Sequence, residues 1–237
     1  MKILPSAIAL TLMAAMLGLV GSAAQATVIV YNLTAVTDAQ TAYFNTKGTV
    51  ITKSTVLGTV TMDDHYSTTG VDFTVQLVSG ATNPLFGYFT DNGNGHVAFG
   101  YNVASPSKVT SVTNLTSGFA IGPANSANSP FGNYTNTIAC PATGVACGTG
   151  ASNSTANVLR FKVNGTGLSA VSFAKNTDGY YFAADIFLNG MTGAIATGSG
   201  GTVTPPSGKA PEPGSLALVG LGILAFAARR RRGCRPV

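Results

Sequence analysis

Residues 71–77 read Val71-Asp72-Phe73-Thr74-Val75-Gln76-Leu77, with apolar and polar side chains alternating at every position. A strict period of two places one set of side chains on each face of an extended chain, which is the pattern of a half-buried β-strand. Working outward, Val97, Phe99, Tyr101 and Val103 occupy one parity of the next clear strand, and His96, Ala98, Gly100 and Asn102 the other. Leu159, Phe161 and Val163 alternate with Val158, Arg160 and Lys162. Upstream, Val56, Val60 and Met62 stand against Leu57, Thr59 and Thr61. One face in and one face wet is the habit of antiparallel sheets.

Turn signals separate these segments: Thr69-Gly70, Asn164-Gly165, Asp178-Gly179 and Asn189-Gly190. Asn189-Gly190 is the strongest, because a two-residue type I′ hairpin turn needs positive φ at both central positions. It predicts a hairpin between 180–188 and 191–197. A helical period is confined to a short turn near Asp38 to Phe44. The expected fold is all-β, an antiparallel β-sandwich of about eight to ten strands with a jelly-roll-like arrangement. It spans residues 27–197, enough chain for one domain with a sizeable core. Residues 125–156, rich in Asn, Ser, Gly and Pro, read as a long surface loop anchored by Phe131, Tyr134 and Ile138.

The flanks are of another kind. Lys2, the apolar run from Ile3 to Val20 and the small-residue site around Ala24 and Ala26 predict a secretory signal peptide over residues 1–26, cleaved after Ala26. Residues 198–210 form a Gly/Pro/Ser linker. The last segment, 211–237, holds Pro211-Glu212-Pro213, an uncharged apolar run from Leu216 to Ala228, and Arg229-Arg230-Arg231-Arg232. As a helix that run covers roughly 20 Å at about 1.5 Å per residue, short of the roughly 30 Å hydrocarbon core unless the arginines snorkel. It predicts a single, marginal transmembrane helix, with the arginines acting as a stop-transfer signal on the cytoplasmic side.

In these three features, in this order, the C-terminal segment resembles the PEP-CTERM sorting signal. The resemblance implies recognition by exosortase, a membrane-embedded enzyme that cuts near the Pro-Glu-Pro motif. The signal peptide predicts export through the Sec machinery, and the resemblance implies a transient stay in the inner membrane and delivery to the cell surface or outside. The hairpin from Tyr180 to Gly193 is similar, more loosely, to the aromatic C-terminal hairpin of exported β-sandwich proteins with this signal.

Charge follows from this division. The chain carries a formal +5, but Lys2 falls in the signal peptide and five arginines beyond Pro211-Glu212-Pro213, leaving seven basic residues against the eight acidic ones between Asp38 and Glu212, a net −1. Nucleic acid as a partner loses its electrostatic support. Charged residues make up 9% of the chain, against about a quarter in typical domains, so Thr, Ser, Asn and Gly provide the polar surface.

Cys140 and Cys147 enclose a turn-rich loop in an oxidising compartment, which predicts a disulfide. The rival reading, half of a metal site, lacks a second Cys or His pair nearby. Asp63-Asp64-His65 reads either as an acid/base or metal cluster or as a hydrated hairpin tip. His96 reads as a surface histidine. Asp91-Asn92-Gly93-Asn94-Gly95 offers Asp91, Asn92 and Asn94 as a candidate calcium loop. Gly93 lacks a ligating side chain, however, and a hairpin explains the glycines without an ion. No other metal or cofactor is expected.

Nucleophile elbows, zinc-protease helices and phosphate loops are absent from the sequence. Asp72 and Asp185, the carboxylates that could be paired for glycoside cleavage, both fall at outward parity. The expectation is a non-catalytic surface or matrix protein, associated with exopolysaccharide or biofilm as the resemblance implies. The alternative is a lectin-like module using the Tyr181/Asp185 strand face. There Tyr181 and Phe187 would stack on sugar rings and Asp185 would accept hydroxyls. Its rival is a strand buried on both faces. Asn32, Asn114, Asn133, Asn153 and Asn164 stand in Asn-x-Thr triplets, which an Asn- and Thr-rich chain produces by chance.

Overall fold

The structure, a computed structural model, describes residues 26–46, 50–65, 69–79, 85–91, 96–141, 147, 155–198 and 202–204. These fall within one body, Ala26–Pro205. In chain order come β1 (Val28–Thr34), helix α1 (Asp38–Asn45), β2 (Val56–Asp63), β3 (Gly70–Leu77), β4 (Gly87–Phe89) and β5 (Phe99–Val103). Then follow β6 (Val109–Thr113), β7 (Ala120–Ile121), β8 (Ser126–Ala127), β9 (Asn133–Tyr134) and β10 (Asn136–Ala139). The body closes with β11 (Val158–Gly165), β12 (Phe173–Ala174), β13 (Phe182–Leu188), β14 (Met191–Thr197) and β15 (Thr202–Thr204).

Thirteen of these strands share one antiparallel sheet, in the order β6-β11-β3-β2-β1-β14-β13-β5-β10-β7, with β4, β12 and β15 on side branches. The sheet is nearly closed. The continuous path is what the strand patterns could not show, since alternation gives faces and not neighbours. β15 pairs with β1, Val28 opposite Thr204, so the body's first and last strands run side by side.

The alternation at 71–77 is realised in full: Val71, Phe73, Val75 and Leu77 are buried while Asp72, Thr74 and Gln76 are partly exposed. β11 pairs with β3 so that Phe161 lies opposite Phe73. Their rings stack at 4.7 Å and 8°. Phe73 also meets Phe173 at 4.8 Å, Tyr101 at 5.7 Å and Phe182 at 6.0 Å. Strands distant along the sheet thus meet across one aromatic core, and each such pair adds about 0.5–1.5 kcal/mol beyond area burial.

In β2 the expected parity fails at its start. Val56 is exposed and Leu57 fully buried, because the register against β1 shifts between Leu33 and Thr34. The extra residue of such a bulge exchanges the two faces. α1 forms where a helical turn is expected. Thr37 caps it, its hydroxyl accepting from the Gln40 N–H at 3.1 Å, and Phe44 is buried. The Asn189-Gly190 turn joins β13 to β14 with φ of 46° and 91°.

Two expectations need correction. β5 is buried on both faces, including Gly100 and Asn102, as is Ala98 just before it. What covers it is the segment read from sequence as surface loop. Residues 125–141 include the β8–β9 ribbon and β10, and they bring Phe131 and Tyr134 down onto Ala183, Ala194 and Ala196 as a second small core. Polar residues tie this cover down. Asn128, itself fully buried, donates to the Val97 carbonyl at 3.0 Å. Asn102 Oδ1 accepts from the Thr135 N–H at 2.7 Å, and Asn176 donates to the Phe131 carbonyl at 2.6 Å.

Candidate functional site

Beside this cover lies a groove of about 460 Å³, lined by Gln40 and Tyr43 of α1, His96, Ser129, Pro130 and Thr192 among others. The helix presents Gln40 and Tyr43 because they lie three apart and share a face. Tyr43 is 42% exposed. His96 lies three residues before β5, and its side chain is 22% exposed. Its Nδ1 lies 3.7 Å from Oδ1 of Asp185, which is 0% exposed. Burial pushes the imidazole pKa below its ordinary value, and the nearby Asp91 offsets part of that. Burial dominates, so near neutral pH the ring is neutral and the contact with Asp185 is not an ion pair. The groove offers a phenol, hydroxyls and a carboxamide to a polar molecule, with its carboxylate recessed behind the imidazole.

This placement corrects two sequence expectations. His96 is not a surface histidine. Asp185 does not face solvent either. Its parity on β13 is outward, but the segment over β5, β13 and β14 closes that side. The three candidate glycan-binding residues therefore form no open platform. Asp185 is sealed, and Phe187 is half-buried beside Tyr88 and Thr192. Tyr181 is half-buried with its ring 4.9 Å from Tyr31 and Lys175 Nζ 5.5 Å above it. Burial, with Tyr181 adding to it, pushes the Tyr31 hydroxyl up to about 12. Nothing in the sequence of β13 signals the cover, which comes from residues some 50 positions earlier.

Asp63, Asp64 and His65 part company. His65 turns outward, with Nδ1 3.3 Å from Asp63 and Nε2 3.2 Å from Asp72, and Lys162 Nζ lies 3.9 Å from the same Asp72 carboxylate. Exposed contacts of this kind contribute at most about 1 kcal/mol each. Asp64 points inward and is 4% exposed, against the expectation of a hydrated tip. Asn164 is not a free acceptor site, since its carboxamide donates to Thr113 at 2.8 Å and Ser111 at 3.2 Å.

Cys140 and Cys147 are joined as a disulfide, with Cα atoms 5.0 Å apart. Asp91 is described, whereas Asn92 and Asn94 lie outside the described residues. So do Ala24, Pro211, Glu212, Pro213, Arg229, Arg230, Arg231, Arg232 and the apolar run 216–228; Ala26 is buried. Among the described residues no helix is long and apolar enough to cross a membrane, and no set of three His, Cys, Asp or Glu could hold a metal ion.

No curated protein and no solved structure matches the chain. The family model for the PEP-CTERM protein-sorting motif matches residues 209–232, which take in Pro211-Glu212-Pro213, the apolar run and all four consecutive arginines. The chain therefore carries a PEP-CTERM protein-sorting motif, the exosortase-directed sorting signal of an exported protein.

Proposed function

We propose that the chain is an exported, non-catalytic cell-surface or extracellular-matrix protein that exosortase cuts near Pro211-Glu212-Pro213. The single observation that carries this reading is the sorting motif at residues 209–232, placed after a β-rich body that ends at Pro205. On this reading the body is a sandwich-like fold delivered through Sec and held briefly by a marginal helix in the inner membrane. It is released to act in the exopolysaccharide or biofilm matrix without a metal or other cofactor. Its low charge and Thr-, Ser- and Asn-rich surface support a role among hydrated polysaccharides, where hydroxyl and amide groups exchange hydrogen bonds with sugars at little desolvation cost.

The test is cellular. Replacing Pro211-Glu212-Pro213 by alanines leaves a full-length, membrane-held precursor, whereas the natural chain loses its tail in an exosortase-positive host. Intact mass of both forms, with and without the exosortase, reads the result. Equal processing of the alanine variant would sink the proposal. Calcium addition and chelation leave the unfolding midpoint of the exported protein unchanged on this reading; a shift would restore Asp91 as a ligand.

A further inference from the structure

Thr27 directly precedes β1, and its backbone nitrogen donates to Asp64 Oδ1 over 2.7 Å. The Asp64 N–H reaches back to the Thr27 carbonyl at 3.4 Å. The other carboxylate oxygen, Oδ2, accepts from the Ala170 N–H at 3.3 Å. Asp64 is 4% exposed, and none of the ion pairs among the described residues includes it. A carboxylate taken out of water is costly to hold when only neutral amides face it.

The nitrogen nearest to it is not an ordinary amide. The small-residue site Ala24-Gln25-Ala26 places export cleavage at the Ala26–Thr27 bond. Hydrolysis there breaks the C–N bond. The hydroxyl of one water molecule goes to the Ala26 carbonyl carbon and its hydrogen to the Thr27 nitrogen. The released amine, with an ordinary pKa of about 7.7–8.0, takes a further proton from solvent at neutral pH. A neutral N–H donor becomes a cation at a position already within hydrogen-bond distance of Asp64.

We propose that signal removal creates the counter-ion of Asp64: the Thr27 α-ammonium pairs with the buried carboxylate and locks β1 into the mature fold. The precursor's amide already donates to the carboxylate, and cleavage adds at that same position the positive charge that a buried carboxylate otherwise lacks, so the precursor is the less stable form and the mature body the more stable. The inference rests on export through a cleaved signal, and not on what the body does afterwards.

The test is a double-mutant cycle on protein recovered from an exporting bacterial host. The full-length gene is expressed as wild type, as Asp64→Asn, with a Gly-Ser insertion between Ala26 and Thr27, and with both changes. Intact mass gives each N-terminus and urea unfolding gives each folding constant. With Asp64 present, the insertion lowers the folding constant about tenfold or more; in the Asp64→Asn background, where the carboxylate charge is gone, its effect is under about threefold. Effects of insertion and substitution that simply multiply would overturn the proposal, as would a natural N-terminus other than Thr27. If Asp64→Asn yields no folded protein, wild type and insertion alone decide, and equal stability overturns it. A retained C-terminal tail in the same mass spectrum would speak against the sorting reading only.

Discussion

His96 Nδ1 lies 3.7 Å from Asp185 Oδ1, a contact between a partly exposed imidazole and a carboxylate sealed from solvent. It joins the segment leading into β5 to the middle of β13 at the edge of the covering segment.

A pH dependence follows from that burial. The folded imidazole has a pKa below the ordinary value of about 6.5, with burial the larger cause and Asp91 opposing it. The unfolded chain then binds the proton first as pH falls, so His96 contributes stability that is present above about pH 6.5 and lost on acidification through the folded pKa. The urea midpoint should fall between pH 7 and 5 with a steeper slope in wild type than in His96→Gln. Parallel slopes would remove His96 from the account.

Phe73 is the meeting point of the aromatic core, stacked on Phe161 and edge-on to Phe173 and Phe182. Phe73→Ala should cost about 3–5 kcal/mol of unfolding free energy. Ile121→Ala, at an exposed position, should change it by less than about 0.5 kcal/mol. Denaturant titration of both variants checks the contrast.

Gly100 sits beneath Tyr134, and a Cβ there would come within 2.6 Å of the Tyr134 ring. Gly100→Ala should cost about 1–3 kcal/mol through overpacking. Adding Tyr134→Ala, which removes the Cγ and Cδ2 atoms that the new Cβ would meet, should cost less than the sum of the two single changes. Additive losses would mean that the cover does not rest on β5 as described.

The Cys140–Cys147 bridge closes a small loop. Replacing both cysteines by serine should lower stability by roughly 2–3 kcal/mol on the loop-entropy account. Reductant should bring wild type to the same midpoint. A variant as stable as the oxidised protein would show that the bridge constrains nothing in the unfolded chain.

What the sequence disclosed depended on how local the cause was. The 71–77 and 158–163 strands, the Asn189-Gly190 hairpin and the helix after Thr37 each carry their own signal in a handful of neighbouring residues. The burial of Asp185, His96 and the second face of β5 has a remote cause, the return of residues 125–135 over them. An Asn- and Ser-rich stretch reads as loop because its hydrogen-bonding side chains are indistinguishable, before folding, from those that only meet water. Asn128 of that stretch donates to the Val97 carbonyl, and the Thr135 N–H donates to Asn102 of the covered strand. Leu57 departs from its parity for a different reason, since a one-residue bulge reverses the faces without changing composition.

Val28 stands opposite Thr204 in neighbouring strands, so the polypeptide leaves its fold beside the point where it entered. Trimming 202–204 would therefore strip a partner from Val28, Ile29 and Val30 as well as remove the final strand, so a cut made too close to the fold at one terminus would fray the other.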